Sequence, residues 1–280
     1  MPATLINGKS IANQLLEQTK QQVSALKAQS IVPKLAVVLV GDDKPSTTYV
    51  RKKGQACALV GIDFDLHTLP ADISKAEIIS TLKTIQEDTA LSGVIVQLPL
   101  PEPLYTTEVL NAIRPEFDVD CLTDANLGKL VMKTNTIVPP TPGAVMAILN
   151  DLEVDVAGKN ITIVGTGALV GKPLAIILMN KEATVTTCNI QTKDLRTKCL
   201  SADILISAVG KKDLIRGNMV KPGAIVIDSG VDYVNKVMFG DVNVAEVSEV
   251  ASYVTPTPGG VGPITVAKLL WNTVVLAGGV

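Results

Sequence analysis

The sequence predicts an α/β protein of two lobes, and three observations carry that expectation. Apolar runs of strand length alternate with helix-patterned segments along most of the chain, which is the signature of β-α-β units. Aromatic content is only 3% against 47% hydrophobic residues, so the core must be built from Val, Ile, Leu and Ala, as in parallel sheets covered on both faces. The 280 residues suffice for two α/β lobes or one large domain. The Thr/Pro-rich stretch TNTIVPPTPG at 134–143 reads as a junction between two.

The elements follow in order. Residues 10–28 place apolar side chains at helical spacing, and KLAVVLVG is a buried strand ending in glycine. DDKPSTTYVRKKGQACALVG is a helix, with Pro45 near its start and Gly61 at its close. The alternating IDFDLHTLP is a strand. SKAEIISTLKTIQED is an amphipathic helix behind a capping box of Ser74 and Glu77. GVIVQLPLP is a buried strand running into prolines, and YTTEVLNAIRP a short helix. After the junction, Thr141 is the expected cap and Pro142 the first turn of a new helix. NITIVGTGALVGKPLAIILMN reads as strand, glycine turn and helix. ATVTTCN, ADILISAVG and GAIVIDSG are three further strands, and a Pro/Gly turn leads into a terminal helix. P-T-P-G occurs at 140–143 and 256–259, which marks similar turns at two helix starts rather than a repeat.

Composition excludes several functions. Net charge is −2 without a long single-sign run, so no electrostatic nucleic-acid surface is expected. No apolar run is long enough to span a membrane. The opening MPATLINGKSIANQ has no basic region leading into an apolar core, so a cytoplasmic protein is expected. Its four cysteines, without a C-x-x-C pair, read as free thiols. The single histidine, His67, reads as structural. It cannot supply a two-histidine zinc motif, so acid–base chemistry falls to Lys, Tyr or a carboxylate. No metal site is expected.

Two features could carry chemistry. After the strand ITIV, Gly165, Gly167 and Gly171 give G-x-G-x-x-x-G, one residue longer than the usual dinucleotide fingerprint. The first glycine permits the turn, the second lets backbone N–H groups approach a pyrophosphate, and the helix N-terminus faces the negative charge. A tight βα turn without a ligand is the competing reading. The next strand, TVTTCNIQ, lacks a ribose-binding carboxylate, and Lys193 and Arg196 follow it. NADP is therefore favoured over NAD, with NAD possible. The second feature is STTYVRKK, where Tyr49 and Lys53 share one helix face. Alone, such a pair is ordinary surface. Tyr-x-x-x-Lys near a dinucleotide turn suggests short-chain dehydrogenases, but there the glycine turn comes first, and here it comes far downstream.

The stretches PSTTYVRKK, GVIVQLPLP, DVD at 118–120, PPTPGAV, VGTGALVGKP and YVTPTPGGVGPIT occur together in one family, in this order. On them the sequence closely resembles the bifunctional methylenetetrahydrofolate dehydrogenase/methenyltetrahydrofolate cyclohydrolases, over nearly the whole chain. The resemblance implies an N-terminal α/β catalytic, folate-binding domain over 1–138, completed by the C-terminal helix 264–280 returning to it. It implies a Rossmann-type NAD(P)-binding domain over 139–263, a cleft between the lobes and a homodimer. The substrates would be tetrahydrofolate one-carbon derivatives, in the one-carbon metabolism that serves purine biosynthesis. The family's lysine falls on Lys53, its tyrosine on Tyr49, its glutamine on Gln97 and its folate-binding aspartate on Asp120. Leu98, Pro99, Pro258, Gly259 and Gly260 would complete the folate site. Thr141, Gly165, Thr166, Gly167, Val170, Gly171 and Ser229 would line the cofactor site.

Lys53 is the expected base, its pKa lowered by burial and a cationic substrate. Gln97 is expected to hold the amine, Tyr49 to pack on the folate ring and Asp120 to accept from a pterin edge. A cis bond before Pro99 is possible. Arg51 and Lys52 face solvent. The chain departs from the family at Phe117 and Cys121, where a Lys and a Gly are common, and at Thr166, Gly167 and Ser229. The alternatives are a dehydrogenase without cyclohydrolase activity, a dehydrogenase of the shikimate or amino-acid type, or a non-catalytic binding protein.

Overall fold

Local signals explain most element boundaries. The computed structural model describes residues 2–234 and 237–279. In chain order they form β1 (Thr4–Leu5), α1 (Gly8–Ala28), β2 (Lys34–Val40), α2 (Lys44–Val60), β3 (Asp63–Leu69), α3 (Lys75–Ile85), β4 (Gly93–Val96), α4 (Thr107–Leu110) and α5 (Asp124–Val131). They continue through α6 (Pro140–Asp151), β5 (Asn160–Val164), α7 (Gly171–Asn180), β6 (Thr184–Cys188), α8 (Leu195–Leu200), β7 (Ile204–Ser207), β8 (Ile225–Asp228), β9 (Asp232–Val234), β10 (Val237–Phe239), α9 (Val244–Ser248), β11 (Tyr253–Val254) and α10 (Val261–Leu276). The Asp43 carboxylate caps α2 by accepting from Ser46 N, and Gly61 ends it at φ 82°. At α3 the capping box closes both ways: Ser74 Oγ accepts from Glu77 N, and Glu77 accepts from Ser74 N.

The residues group into two compact units, one of Gln14–Pro140 with Val266–Val280, the other of Met1–Asn13 with Thr141–Thr265. In the first, β2 runs parallel between β3 and β4. Buried Leu35, Val37, Leu39 and Ile95 meet α2 and α10 on one face, and Ala36, Val38, Val94 and Val96 meet Ile78 and Leu82 of α3 on the other. In the second, a parallel sheet has the order β1-β11-β8-β7-β5-β6. The chain leaves β5 for β6 on one side and returns to β7 on the other. This makes the β5/β7 pair the topological switch point of a doubly wound fold, where ligands bind at the strand C-termini.

Two expectations differ from the structure. The division at 138/139 assigned residues 1–13 to the first unit, whereas they group with the second. β1 pairs in parallel with β11, and Ala3 N donates to Ser248 O at 2.7 Å. A Cβ on Gly8 would stand 1.8 Å from Gly260 O, so only glycine permits that approach. Thr141 was expected as a helix cap but lies inside the first turn of α6, which begins at Pro140. Prolines at the first turn are pre-set for the helix and lose no bond there.

Candidate active site

Besides Ala56, the buried side chains of α2 are Ser46, Val50, Cys57 and Val60. Their spacing of three and four places one more inward position at 53. The residue there is Lys53, so a cation occupies a place where the helix otherwise presents core. Burial pushes its amine below the ordinary ammonium range, while the charges of Asp120 and Cys57 oppose that shift. Arg51 and Lys52, on other faces, are exposed. Tyr49 is half-buried one turn before Lys53, with Lys52 Nζ 5.9 Å from its ring centroid.

The partner of Lys53 arrives from the sheet. Gln97 follows β4 directly, and its N–H continues the ladder by donating to Val38 O at 2.8 Å. Its buried side chain accepts from Lys53 Nζ at 3.0 Å through Oε1 and donates to Leu98 O at 2.6 Å through Nε2. With both ends of the amide committed, its acceptor is turned toward the amine. The Leu98–Pro99 peptide is cis.

Asp120 reaches the same place by a close approach of backbone. Val94 N donates to Phe117 O at 2.7 Å, so the 117–120 segment runs alongside β4. A Cβ on Gly93 would stand 2.3 Å from Val119 Cγ1, and only glycine admits that contact. Burial lifts the Asp120 carboxyl to about 6, with the Lys53 charge acting against the rise and Asp118 adding to it.

Sequence reasoning missed two residues that shape this turn. Asp118 is buried and accepts from Leu122 N, Thr123 N and Asn126 Nδ2 at 3.1, 2.8 and 3.0 Å. Asn272 of α10 donates to both Val119 O and Val138 O at 2.8 Å. The first aspartate of D-V-D followed by L-T was a readable turn signal; the asparagine, distant in sequence, gave none. Cys121 adopts φ 57° in the same turn, a left-handed conformation where glycine is favoured. His67 lies on β3 with Nε2 3.3 Å from Asp65 Oδ2, apart from these groups.

The other predicted residues lie in the second unit and are described there. Gly165 ends β5 at φ 107°, and a Cβ on it would stand 2.3 Å from Ala208 O. A Cβ on Gly171 would stand 1.8 Å from Gly165 O, while one on Gly167 would meet no atom within 4 Å. Val170 precedes α7 without a side-chain cap, although Lys172 N reaches Gly167 O at 3.1 Å. Thr166 is half-buried in the turn. Ser229, after β8, has a buried Oγ with no hydrogen-bond partner among the described residues. Two glycines that no other residue can replace, an uncapped helix N-terminus and an orphaned hydroxyl fit a dinucleotide at the switch point. β6 ends without a carboxylate; Lys193 is exposed, and Arg196 Nε donates to Asn218 O at 2.9 Å. Thr257–Pro258 is cis, Gly259 has φ 106°, and a Cβ on Gly260 would stand 2.6 Å from Pro256 O.

Residues 6–120 match the family model described as tetrahydrofolate dehydrogenase/cyclohydrolase, catalytic domain, and residues 139–278 match its NAD(P)-binding domain. The bifunctional protein FolD of Moorella thermoacetica is 46% identical over 99% of each chain. Among solved structures, the bifunctional FolD enzyme of Campylobacter jejuni matches with a TM-score of 0.96 at 40% identity, covering 99% of each chain. FolD of Trypanosoma brucei, solved with NADP cofactor and inhibitor, matches at 0.95 and 35% identity, over 99% of this chain and 98% of the other. On this agreement along both halves, the chain belongs to the tetrahydrofolate dehydrogenase/cyclohydrolase family.

Proposed function

We propose that Lys53, Gln97 and Asp120 run the hydrolytic half of the family's paired activities, which this chain combines: oxidation of methylenetetrahydrofolate with NADP, then hydrolysis of methenyltetrahydrofolate to formyltetrahydrofolate. The observation that carries the reading is an amine at a core position of α2, hydrogen-bonded to Gln97 Oε1 at 3.0 Å.

The chemistry needs such a group. Water adds to the methenyl carbon, and the neutral Lys53 amine takes one of its protons. As the C–N bond breaks, the ammonium returns a proton to the departing nitrogen, and the second water proton leaves to solvent with the formyl group formed. A surface lysine is almost wholly protonated at neutral pH; a desolvated one beside a cationic substrate is not. Gln97 aims the lone pair, Asp120 accepts from the pterin edge, and Tyr49 packs on the folate ring. Leu98, Pro99, Pro258, Gly259 and Gly260 shape the folate site, where glycines admit backbone to the ligand.

NADP, when bound, supplies the hydride acceptor, and that step asks the protein for alignment rather than a base. Gly165, Thr166, Gly167, Val170 and Gly171 would hold the cofactor at the turn before α7, and Thr141 and Ser229 would complete its site. The chain acts as a cytoplasmic homodimer in the one-carbon metabolism that serves purine biosynthesis; the resemblance of the full length to bifunctional relatives supports this, and all four cysteines are buried and free. The test mixes purified protein with methylenetetrahydrofolate and NADP while nicotinamide reduction and methenyl absorbance are followed. Reduction without methenyl build-up supports both activities. Methenyl accumulation would leave a dehydrogenase alone, and no signal would overturn the reading.

A further inference from the structure

Two buried carboxylates stand at the C-terminal edge of the second unit's sheet, outside every role given above. Asp241 is fully buried and accepts four hydrogen bonds. Ser207 Oγ and Val209 N donate to Oδ2 at 2.6 and 2.8 Å, and Gly210 N and Lys211 N to Oδ1 at 2.8 and 2.7 Å. The loop after β7 is thus wound around one side chain from a distant segment. Gly230 is required beside it, since a Cβ there would stand 2.2 Å from the Asp241 carboxylate. Asp228, its neighbour, accepts from Gly230 N and Val242 N at 2.9 Å and so ties the start of that distant segment to β8.

The loop held by Asp241 borders the switch point. Ala208 N continues the ladder to Val164 O at 2.8 Å, and Ala208 O is the atom that a side chain on Gly165 would strike. The loop after β7 and the glycine turn after β5 therefore form the two sides of the crevice at the strand ends. Among the described residues, the Asp241 carboxylate accepts from Ser207, Val209, Gly210 and Lys211, none of them in the glycine turn or assigned to hydrolysis.

We propose that Asp241 is a positioning residue for the cofactor half of the reaction, holding residues 208–211 as the wall of the crevice opposite the glycine turn. This rests on the reading that residues 165–171 take the dinucleotide. Asn at 241 would turn an amide N–H₂ toward a pair of N–H or O–H donors, which frees at least one from its partner and loosens the loop.

The test compares Asp241→Asn and the milder Ser207→Ala with wild type by four readings: NADP affinity by titration calorimetry, dehydrogenase rate, methenyl hydrolysis and melting temperature. In Asp241→Asn the NADP dissociation constant is expected to rise about tenfold, and dehydrogenase kcat/KM to fall at least as far, as for one lost charge-assisted bond. Hydrolysis should stay within about twofold. Ser207→Ala, which removes one donor, should weaken NADP by roughly threefold, and it decides the matter if Asp241→Asn does not fold. Unchanged NADP affinity in the folded variant, or two activities falling in parallel, would overturn the inference while the cofactor reading stood. A wild-type chain that binds neither NADP nor NAD would end both.

Discussion

Replacing Lys53 by methionine tests the hydrolytic reading most directly, because the change removes the amine and keeps the shape. Lys53 is half-buried and lies on the helix stripe between buried Val50 and Cys57, so an unbranched apolar side chain of similar length fits the site. One hydrogen bond is lost, that from Nζ to Gln97 Oε1, while Gln97 Nε2 keeps its bond to Leu98 O. The unpaired acceptor costs about 1 kcal/mol. A desolvated amine is removed at the same time, which offsets that cost. The melting temperature should therefore move by no more than about 2–4 °C. The rate should respond far more. A positioned acid–base group contributes roughly 10²–10⁴-fold, or about 3–5 kcal/mol of barrier. Water is a poor substitute where the amine is enclosed, so a loss near 10³-fold or above is expected. Decay of methenyl absorbance under the purified variant reads hydrolysis, and nicotinamide reduction in the same cuvette reads dehydrogenation. Methenyl should accumulate as reduction proceeds. A folded Lys53→Met that hydrolyses within about tenfold of wild type would refute the argument.

Three further outcomes follow from the geometry. Gly171→Ala places a Cβ 1.8 Å from Gly165 O; backbone must shift, at a cost of about 1–3 kcal/mol, read as a lower melting temperature together with weakened NADP binding in calorimetry. Because burial lifts Asp120 to about 6, its carboxyl gains charge as pH rises through that value, and the KM for the methenyl cation should fall across the same interval; Asp120→Asn should abolish that inflection, and its persistence would assign it elsewhere. Asp228 is also raised to about 6, by burial first and by Asp241 in addition. A carboxyl raised in the folded state binds more protons than in the unfolded chain, so its contribution to stability falls as pH climbs from about 4 to about 6, on the order of 3 kcal/mol. Denaturant melts of wild type and Asp228→Asn should therefore differ more in favour of wild type at pH 4.5 than at pH 7, and a constant difference would contradict it.

The alternation of strands and helices, the glycine turn and both ends of α2 were legible in the sequence. Each is decided by neighbours within one turn or one pleat: Ser74 with Glu77, Asp43 with Ser46, Gly61 after Val60. The spacing 46, 50, 53, 57 and 60 also held the inward direction of Lys53. What tertiary structure decided lies between residues far apart in the chain. β1 joined the sheet of the second unit because Thr4 and Leu5 found Tyr253 and Val254, two residues too short to announce a strand. Asn272 secures the Asp120 turn across 153 positions, and Asp241 winds a loop about 30 positions upstream. Periodicity and capping are properties of adjacent residues and can be read along a line. A carboxylate that gathers backbone N–H groups, or a glycine that exists to admit Val119, has its cause in a second segment that only folding brings near.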